Sequence, residues 1–214
     1  MQSIQTVSEN TIYVGASDRR LAKFENLFPI PRGVSYNAYV ILDEKTALLD
    51  TADASVGAQF LENVAAALDG RKLDYLIVDH MEPDHAAMIE AVLVRWPDLR
   101  LVVNAKTLPM LKMYFPTDSA AIDDALVVKE GDTLDLGKHK LTFVMAPMVH
   151  WPEVMMTFDT TTGTLFSADA FGTFGALEGA LFADEVDFAG KWLDDARRYY
   201  TCLLYTSPSP RDMR

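Results

Sequence analysis

The chain contains very little cysteine and little histidine. Its 214 residues include one cysteine, Cys202, and four histidines. A single cysteine excludes an internal disulfide and any cysteine-rich zinc or iron–sulfur site. A metal site in this chain must therefore use histidine and carboxylate ligands.

Positive charge is also scarce. The 19 lysines and arginines stand against 31 aspartates and glutamates, so the formal net charge at pH 7 is −12. Binding to a nucleic-acid backbone requires clustered cations that displace counterions. The composition therefore argues against nucleic acid as a partner.

Long apolar runs and targeting signals are missing as well. No segment approaches the roughly 20 apolar residues of a membrane helix, and the start, MQSIQTVSENTIYVG, has no basic n-region or continuous apolar h-region. We therefore expect a cytoplasmic protein with no membrane partner. With 50% hydrophobic residues, the chain is long enough to bury a substantial core as one domain.

Short apolar runs separated by turn signals occupy most of the chain. Runs such as TIYVG, SYNAYVIL, DYLIVDH, KLTFVMAP and VMMTFDT are rich in β-branched and aromatic residues and predict strands. Helical patterns predict helices over residues 56–70, 85–97, 105–115 and 185–200. Strand-rich ends around a strand–helix middle predict an α/β fold in which two mixed sheets pack face to face, with helices outside.

The C-terminal segment differs from the rest. After WLDDARRYY comes TCLLYTSPSPRDMR, whose Ser-Pro-Ser-Pro cannot continue a helix. The segment is similar to a translated sequencing-adapter read-through; the alternative is an ordinary disordered terminus. We expect the native sequence to end near Thr201 and residues 202–214 to be a non-native tail.

The stretch DHMEPDHA, residues 79–86, concentrates metal-binding side chains. His80, Glu82, Asp84 and His85 fall within six residues, directly after the apolar run YLIV. One interpretation is structural, with Asp84 capping the helix that follows. The other is a metal site, because rigid scaffolds place functional groups on strand-end loops.

Two later segments favour the metal site. His150 follows an apolar run in VMAPMVHWPEVMM, and Asp169 follows another in GTLFSADAFG. Lone polar groups at the ends of separate strands are expected when those ends converge on one metal centre. Imidazoles and carboxylates without thiolate suit iron, manganese or zinc. One carboxylate can bridge two ions, and Asp169 is the candidate for that bridge.

Together these motifs resemble a known family. HMEPDHA, HWPEVM and LFSADAFG, in this order and with these spacings, resemble the metallo-β-lactamase-like domain of flavodiiron proteins. These proteins reduce dioxygen to water or nitric oxide to nitrous oxide. The resemblance extends from about Ile12 to Tyr200. It implies a metallo-β-lactamase-like αββα sandwich over residues 1–201 and a cytoplasmic di-iron oxidoreductase.

The resemblance also implies a ligand set, in which three residues hold one iron, two hold the other and one bridges: His80, Glu82 and His150; Asp84 and His85; Asp169. Family members have a further histidine ligand and a flavodoxin-like FMN domain downstream. No histidine follows His150 here. We therefore expect a C-terminally truncated fragment with an incomplete second iron site and no steady turnover alone.

The implied partners are dioxygen or nitric oxide, FMN, a rubredoxin-like or flavin-linked electron donor, and a second copy in a head-to-tail dimer of the full-length protein. Two alternatives stay open. Hydrolases of the superfamily carry H-x-H-x-D-H and typically hold zinc, so a binuclear zinc metallohydrolase with Glu82 as an unusual ligand is one. A metal-free scaffold whose site has decayed is the other.

Three further polar residues are assigned roles. Asp50 and Asp79 follow apolar runs and are expected to orient the ligand imidazoles. His139 lies between two lysines in LGKHKL and is expected to be solvated.

Overall fold

The apolar runs form strands in the computed structural model, which describes residues 3–116 and 119–204. The expected tail lies outside the described residues from residue 205 onward. In chain order the strands are β1 (Gln5–Ser8), β2 (Thr11–Tyr13), β3 (Ala16–Asp18), β4 (Lys23–Phe24), β5 (Phe28–Pro29), β6 (Val34–Tyr36), β7 (Tyr39–Leu42), β8 (Thr46–Leu49), β9 (Tyr75–Ile77), β10 (Arg100–Asn104), β11 (Leu126–Val128), β12 (Thr133–Asp135), β13 (Lys140–Met145), β14 (Met155–Asp159) and β15 (Thr164–Phe166).

Apart from the first, the helices are short. They are α1 (Gly57–Leu68), α2 (Pro83–Ala86), α3 (Ile89–Arg95), α4 (Thr107–Tyr114), α5 (Ser119–Asp123), α6 (Phe188–Lys191) and α7 (Leu193–Tyr199), with 3₁₀ turns at Ala54–Val56 and Ala183–Glu185 and a π-helical turn at Tyr200–Leu204. Among the described residues, no helix combines the length and apolar character that a membrane crossing requires.

The chain divides into two units. Unit 1 contains the described parts of residues 1–16, 36–148 and 152–168. Unit 2 contains those of residues 17–35, 149–151 and 169–214.

Unit 1 is built on two sheets. The larger has the order β1-β2-β7-β8-β9-β10-β11, and the smaller has the order β12-β13-β14-β15. Strands β8 to β11 of the larger sheet run parallel to one another, whereas the strands of the smaller sheet pair antiparallel. Because the carboxyl ends of parallel strands meet at one edge, the residues after β8, β9 and β10 lie along the same edge of the larger sheet.

A shared apolar core joins these two sheets. It includes Leu49, Ile77 and Val102 from the larger sheet, and Phe143 and Met155 from the smaller one, all at most 2% exposed. On β14 the burial alternates residue by residue, which is the period of a strand with one face in the core. The face-to-face packing that the sequence predicts is therefore present in unit 1.

The helix predicted over residues 85–97 is interrupted, and the reason is a long-range contact. The structure has two helices here, α2 and α3, separated at Ala87 and Met88. The backbone N–H and the hydroxyl of Thr51 both donate to the carbonyl oxygen of His85, at 2.8 and 2.6 Å. In a continuous helix that carbonyl would accept from residue 89 instead. Asp84 lies in the first turn of α2, with Glu82 at the N-cap, so the alternative interpretation of Asp84 as the helix cap is wrong.

The other predicted helices are confirmed with shifted bounds. The first ends at Leu68, where Asp69 and Gly70 both adopt left-handed conformations with φ of 47° and 80°. The last is divided into α6 and α7 at Trp192. Asp187 caps α6 by accepting a hydrogen bond from the backbone of Gly190.

Unit 2 packs around Phe174, which is 1% exposed. Its ring lies 5.0 Å from that of Tyr199 and 5.8 Å from that of Phe24, and the Arg198 guanidinium lies 4.9 Å from its centre. Aromatic pairs at these separations are favourable. This packing holds the end of α7 in place and therefore fixes Tyr199.

Candidate metal centre

The loop after β9 places four of the predicted ligands in unit 1. His80, Glu82 and His85 are buried, with at most 7% of each exposed, and Asp84 is partly buried. The rings of His80 and His85 lie 5.2 Å apart. Oε2 of Glu82 lies 3.2 Å from Nε2 of His80, and Oδ2 of Asp84 lies 3.7 Å from Nε2 of His85. Each imidazole therefore has a carboxylate beside its Nε2 atom.

The opposite nitrogen of each imidazole also faces a carboxylate. Nδ1 of His80 lies 2.8 Å from Oε1 of Glu153, and Nδ1 of His85 lies 3.0 Å from Oδ2 of Asp50. A carboxylate is an acceptor, so Nδ1 is the donor in both bonds. Metal-binding histidines are commonly held in this way, because the bond fixes the ring and directs Nε2 at the ion.

Asp79 joins the two sheets instead of contacting an imidazole. Its carboxylate accepts from the hydroxyl of Thr157 at 2.8 Å, and its backbone N–H donates to Oδ1 of Asp50 at 2.7 Å. Burial raises the pKa of Asp79 well above its ordinary value, and the neighbouring charge of Asp50 raises it further. Asp79 thus supports Asp50, which in turn holds His85.

Unit 2 contains the other two predicted ligands. Nε2 of His150 lies 3.1 Å from Oδ2 of Asp169, and both residues are at most 5% exposed. The hydroxyl of Tyr199 donates to Oδ1 of Asp169 at 2.8 Å. An imidazole and a carboxylate are therefore paired in unit 2 as well.

Backbone strain occurs next to these residues in the sequence. Asp50, Met148, Ala168 and Phe171 have φ of 55°, 69°, 49° and 67°. The left-handed region costs an L-residue about 1–2 kcal/mol. Such conformations concentrate where a site requires them. Met148, Ala168 and Phe171 lie within two positions of a predicted ligand in the sequence, and Asp50 is the partner of His85.

The structure confirms one of the assignments of supporting residues and changes two. Asp50 orients an imidazole, as the sequence predicts, whereas Asp79 hydrogen-bonds Thr157. The prediction for His139 is wrong: it is 2% exposed, and its Nδ1 lies 2.8 Å from Oδ2 of Asp159. Its lysine neighbours suggest a surface position, and both are exposed, but His139 itself is buried in the turn just before β13.

Glu153 is the supporting residue that the sequence argument misses. It lies within HWPEVM, three residues after His150 and one before the buried Val154. Its side chain is 1% exposed. A charged residue entering a buried strand is unusual without a partner, and that signal was available in the sequence.

Comparison with known proteins places this geometry in a family. Residues 34–200 match the protein family described as "ODP family beta lactamase". A nitric oxide reductase from Moorella thermoacetica is 36% identical over 200 residues, which cover 92% of this chain and 49% of that protein. The chain therefore spans about half the length of the curated relatives it matches.

Solved structures give the same answer. A flavodiiron protein from Giardia intestinalis superposes with a TM-score of 0.86 at 27% identity, over 94% of this chain and 47% of that one. Rubredoxin oxygen:oxidoreductase from Desulfovibrio gigas superposes with a TM-score of 0.85 at 31% identity, over 92% of this chain and 48% of that one. The predicted fold and the resemblance to flavodiiron proteins are confirmed, and the chain belongs to the ODP family of beta lactamases.

Proposed function

We propose that this chain is the di-iron domain of an oxidoreductase that reduces dioxygen to water, nitric oxide to nitrous oxide, or both, with electrons from FMN. The observation that carries the proposal is Glu82, a carboxylate 1% exposed beside Nε2 of His80. The hydrolases of the superfamily have an imidazole at this position. The relatives named nitric oxide reductase and rubredoxin oxygen:oxidoreductase support the same class.

In the proposed ligand set, three residues hold one iron, two hold the other and one bridges: His80, Glu82 and His150; Asp84 and His85; Asp169. Support comes from the pairing of imidazole with carboxylate inside each unit. The motifs that contain these residues also occur along the chain in the same order as in flavodiiron proteins. Residues 1–201 would form this di-iron domain.

The charges in unit 1 fit a bound cation. Asp50, Glu82 and Glu153 are at most 5% exposed, and the buried imidazoles of His80 and His85 contact them. Buried carboxylates are costly unless cations offset them. Nitrogen and oxygen donors without thiolate suit iron, manganese or zinc, and an added carboxylate favours ferric iron over ferrous.

The chain's own residues prepare the site for the ions. Glu153 and Asp50 keep a proton on Nδ1 of each imidazole, so that Nε2 is the nitrogen directed at the metal. Glu82, Asp84 and Asp169 supply the negative charge that offsets the cations. Burial keeps bulk water away, which strengthens each of these interactions. When bound, two irons would supply electrons and adjacent binding positions for one dioxygen or two nitric oxide molecules.

The proposed setting of this reaction is the one that the resemblance to flavodiiron proteins implies. Electrons would arrive through FMN from a rubredoxin-like or flavin-linked donor, and a second copy would form a head-to-tail dimer in the full-length protein. The proposed compartment is the cytoplasm, consistent with the lack of a membrane-crossing helix among the described residues.

The test is metal selectivity combined with reactivity. We expect full-chain protein titrated with ferrous iron under anaerobic conditions to bind iron, and the reduced protein to consume dioxygen or nitric oxide when mixed with it. Metal analysis and absorption spectroscopy measure the first part, and gas electrodes measure the second. Binding of zinc alone, together with hydrolytic turnover, would contradict the proposal.

A variant of Glu82 sharpens this test. Glu82→His recreates the ligand pattern of the hydrolases, so it should keep zinc affinity and weaken the binding of ferric iron. Glu62→His is the matched control, because Glu62 is exposed on α1. Equal iron binding in both variants would show that the carboxylate does not select iron.

A further inference from the structure

Glu153 holds its neighbours through one oxygen atom. Oε1 accepts from Nδ1 of His80 at 2.8 Å and from the backbone N–H of Met81 at 3.0 Å. The backbone of Glu153 is held too, because its carbonyl oxygen accepts from the side-chain amide of Asn104 at 2.5 Å. Both ends of the residue are therefore fixed, and the ring of His80 is fixed with them.

The chemistry of the two groups sets the direction of the bond between His80 and Glu153. A carboxylate oxygen only accepts, so Nδ1 of His80 donates its proton to Oε1 of Glu153.

Glu153 also lines a pocket of about 200 Å³. The pocket is bordered by Met145, Pro147, Lys106 and Lys129, and both lysines are exposed. Oε2 of Glu153 is buried and makes no hydrogen bond within the described residues. The side chain of Glu153 is 0% exposed and negatively charged, so a small anion that enters between the lysines can take this place only when the side chain has been removed.

We propose that Glu153 is a positioning residue for His80, and that the adjacent pocket admits small carboxylates to the space left when the Glu153 side chain is truncated. One part of this inference rests on the proposed function: the consequence that Nε2 of His80 is directed at iron. The contact itself does not depend on which metal binds.

The first experiment observes the Nδ1 proton of His80 by NMR in metal-free full-chain protein labelled with ¹⁵N-histidine. We expect a slowly exchanging signal in the wild type, because the proton is buried and bonded to Glu153. Glu153→Gln should keep the signal, since its amide oxygen can accept the same bond. Glu153→Met should lose it, because methionine has a similar volume and no comparable acceptor.

The second experiment is chemical rescue of Glu153→Ala. Acetate matches the atoms that this change removes, so adding it should restore the protected Nδ1 signal of His80, whereas acetamide should restore it less. Lys129→Gln in the same background should raise the acetate concentration needed severalfold. Asp50→Ala is the matched control: acetate should not restore the signal of His85, because Asp50 does not line this pocket.

The outcomes separate this inference from the proposed function. A protected Nδ1 signal in Glu153→Met would overturn the positioning role. A folded Glu153→Ala whose signal acetate does not restore would overturn the access route. If Glu153→Ala does not fold, the comparison of Glu153→Gln with Glu153→Met still decides the positioning role. Iron affinity should fall about 10–100-fold in Glu153→Met. Wild-type protein that binds zinc alone would refute the function and leave the NMR result standing.

Discussion

Oδ2 of Asp50 lies 3.0 Å from Nδ1 of His85, although 35 positions separate the two residues. The contact exists because β8 and β9 are parallel neighbours, with Leu49 opposite Ile77, so that both strands end at the same edge. Asp50 adopts a left-handed conformation there, with φ of 55°. Its two oxygens then reach the backbone of Asp79 and the ring of His85.

This contact predicts the effect of replacing Asp50. Asp50→Asn should weaken metal binding at His85 about 10–100-fold, because the neutral amide holds the imidazole less well and lowers its basicity. Competition with a chelator measures the affinity. Asp98→Asn, at an exposed position, is the control and should bind like the wild type. Equal affinities in the two variants would mean that Asp50 does not support the metal.

The bridging role proposed for Asp169 predicts a difference in metal content. Asp169→Ala should lose more iron than His85→Ala, because the bridge serves both ions whereas His85 serves one. Metal analysis after gel filtration measures the content. Tyr199→Phe removes the hydrogen bond to Asp169 and no ligand, so it should lose less iron than Asp169→Ala. Equal metal content in Asp169→Ala and His85→Ala would argue against a bridge.

The buried pair of His139 and Asp159 predicts how stability depends on pH. Burial alone would raise the pKa of Asp159, but hydrogen bonds from Thr162, His139 and the backbone lower it below its ordinary value of 3.8. The folded state therefore binds this proton more weakly than the unfolded state. The resulting stabilisation is complete above the unfolded pKa and is lost as the pH falls through the folded pKa.

Asp159→Asn should accordingly destabilise the protein by about 1–3 kcal/mol at pH 7. The difference from the wild type should shrink as the pH falls below 3.8, because the unfolded chain takes up the Asp159 proton before the folded protein does. Urea unfolding at several pH values measures both quantities. A difference that stays constant from pH 7 to pH 3 would rule out the ionised carboxylate as the cause.

The core between the two sheets of unit 1 predicts that two neighbouring residues differ in how much they contribute to the free energy of unfolding. Phe143 is 0% exposed in that core, whereas Val144 is 37% exposed. Phe143→Ala should cost about 3–5 kcal/mol of unfolding free energy, because it removes buried apolar surface and leaves a cavity. Val144→Ala should change stability by about 0.5 kcal/mol or less. Similar losses in the two variants, measured by urea unfolding, would contradict the assigned faces of β13.

The helix after the ligand loop shows where local pattern stops being sufficient. Helical periodicity over residues 85–97 predicts one helix, and propensity alone offers no reason for a break. The break arises because the backbone N–H and the hydroxyl of Thr51 both donate hydrogen bonds to the carbonyl oxygen of His85. Thr51 is distant in sequence, and only the parallel pairing of β8 with β9 brings it to this loop. The same arrangement holds the backbone on which two predicted ligands lie.

The sequence by itself determined the strands, the class of fold and the candidate ligands, because strand alternation and short motifs are local patterns that remain visible without a structure. Tertiary structure decided which residues support those ligands. Glu153 bonds to His80 across 73 positions, and His139 is buried against Asp159. Such partners depend on strand register and on packing between sheets. Both come from contacts distant in sequence, which leave little trace in the residues near either partner.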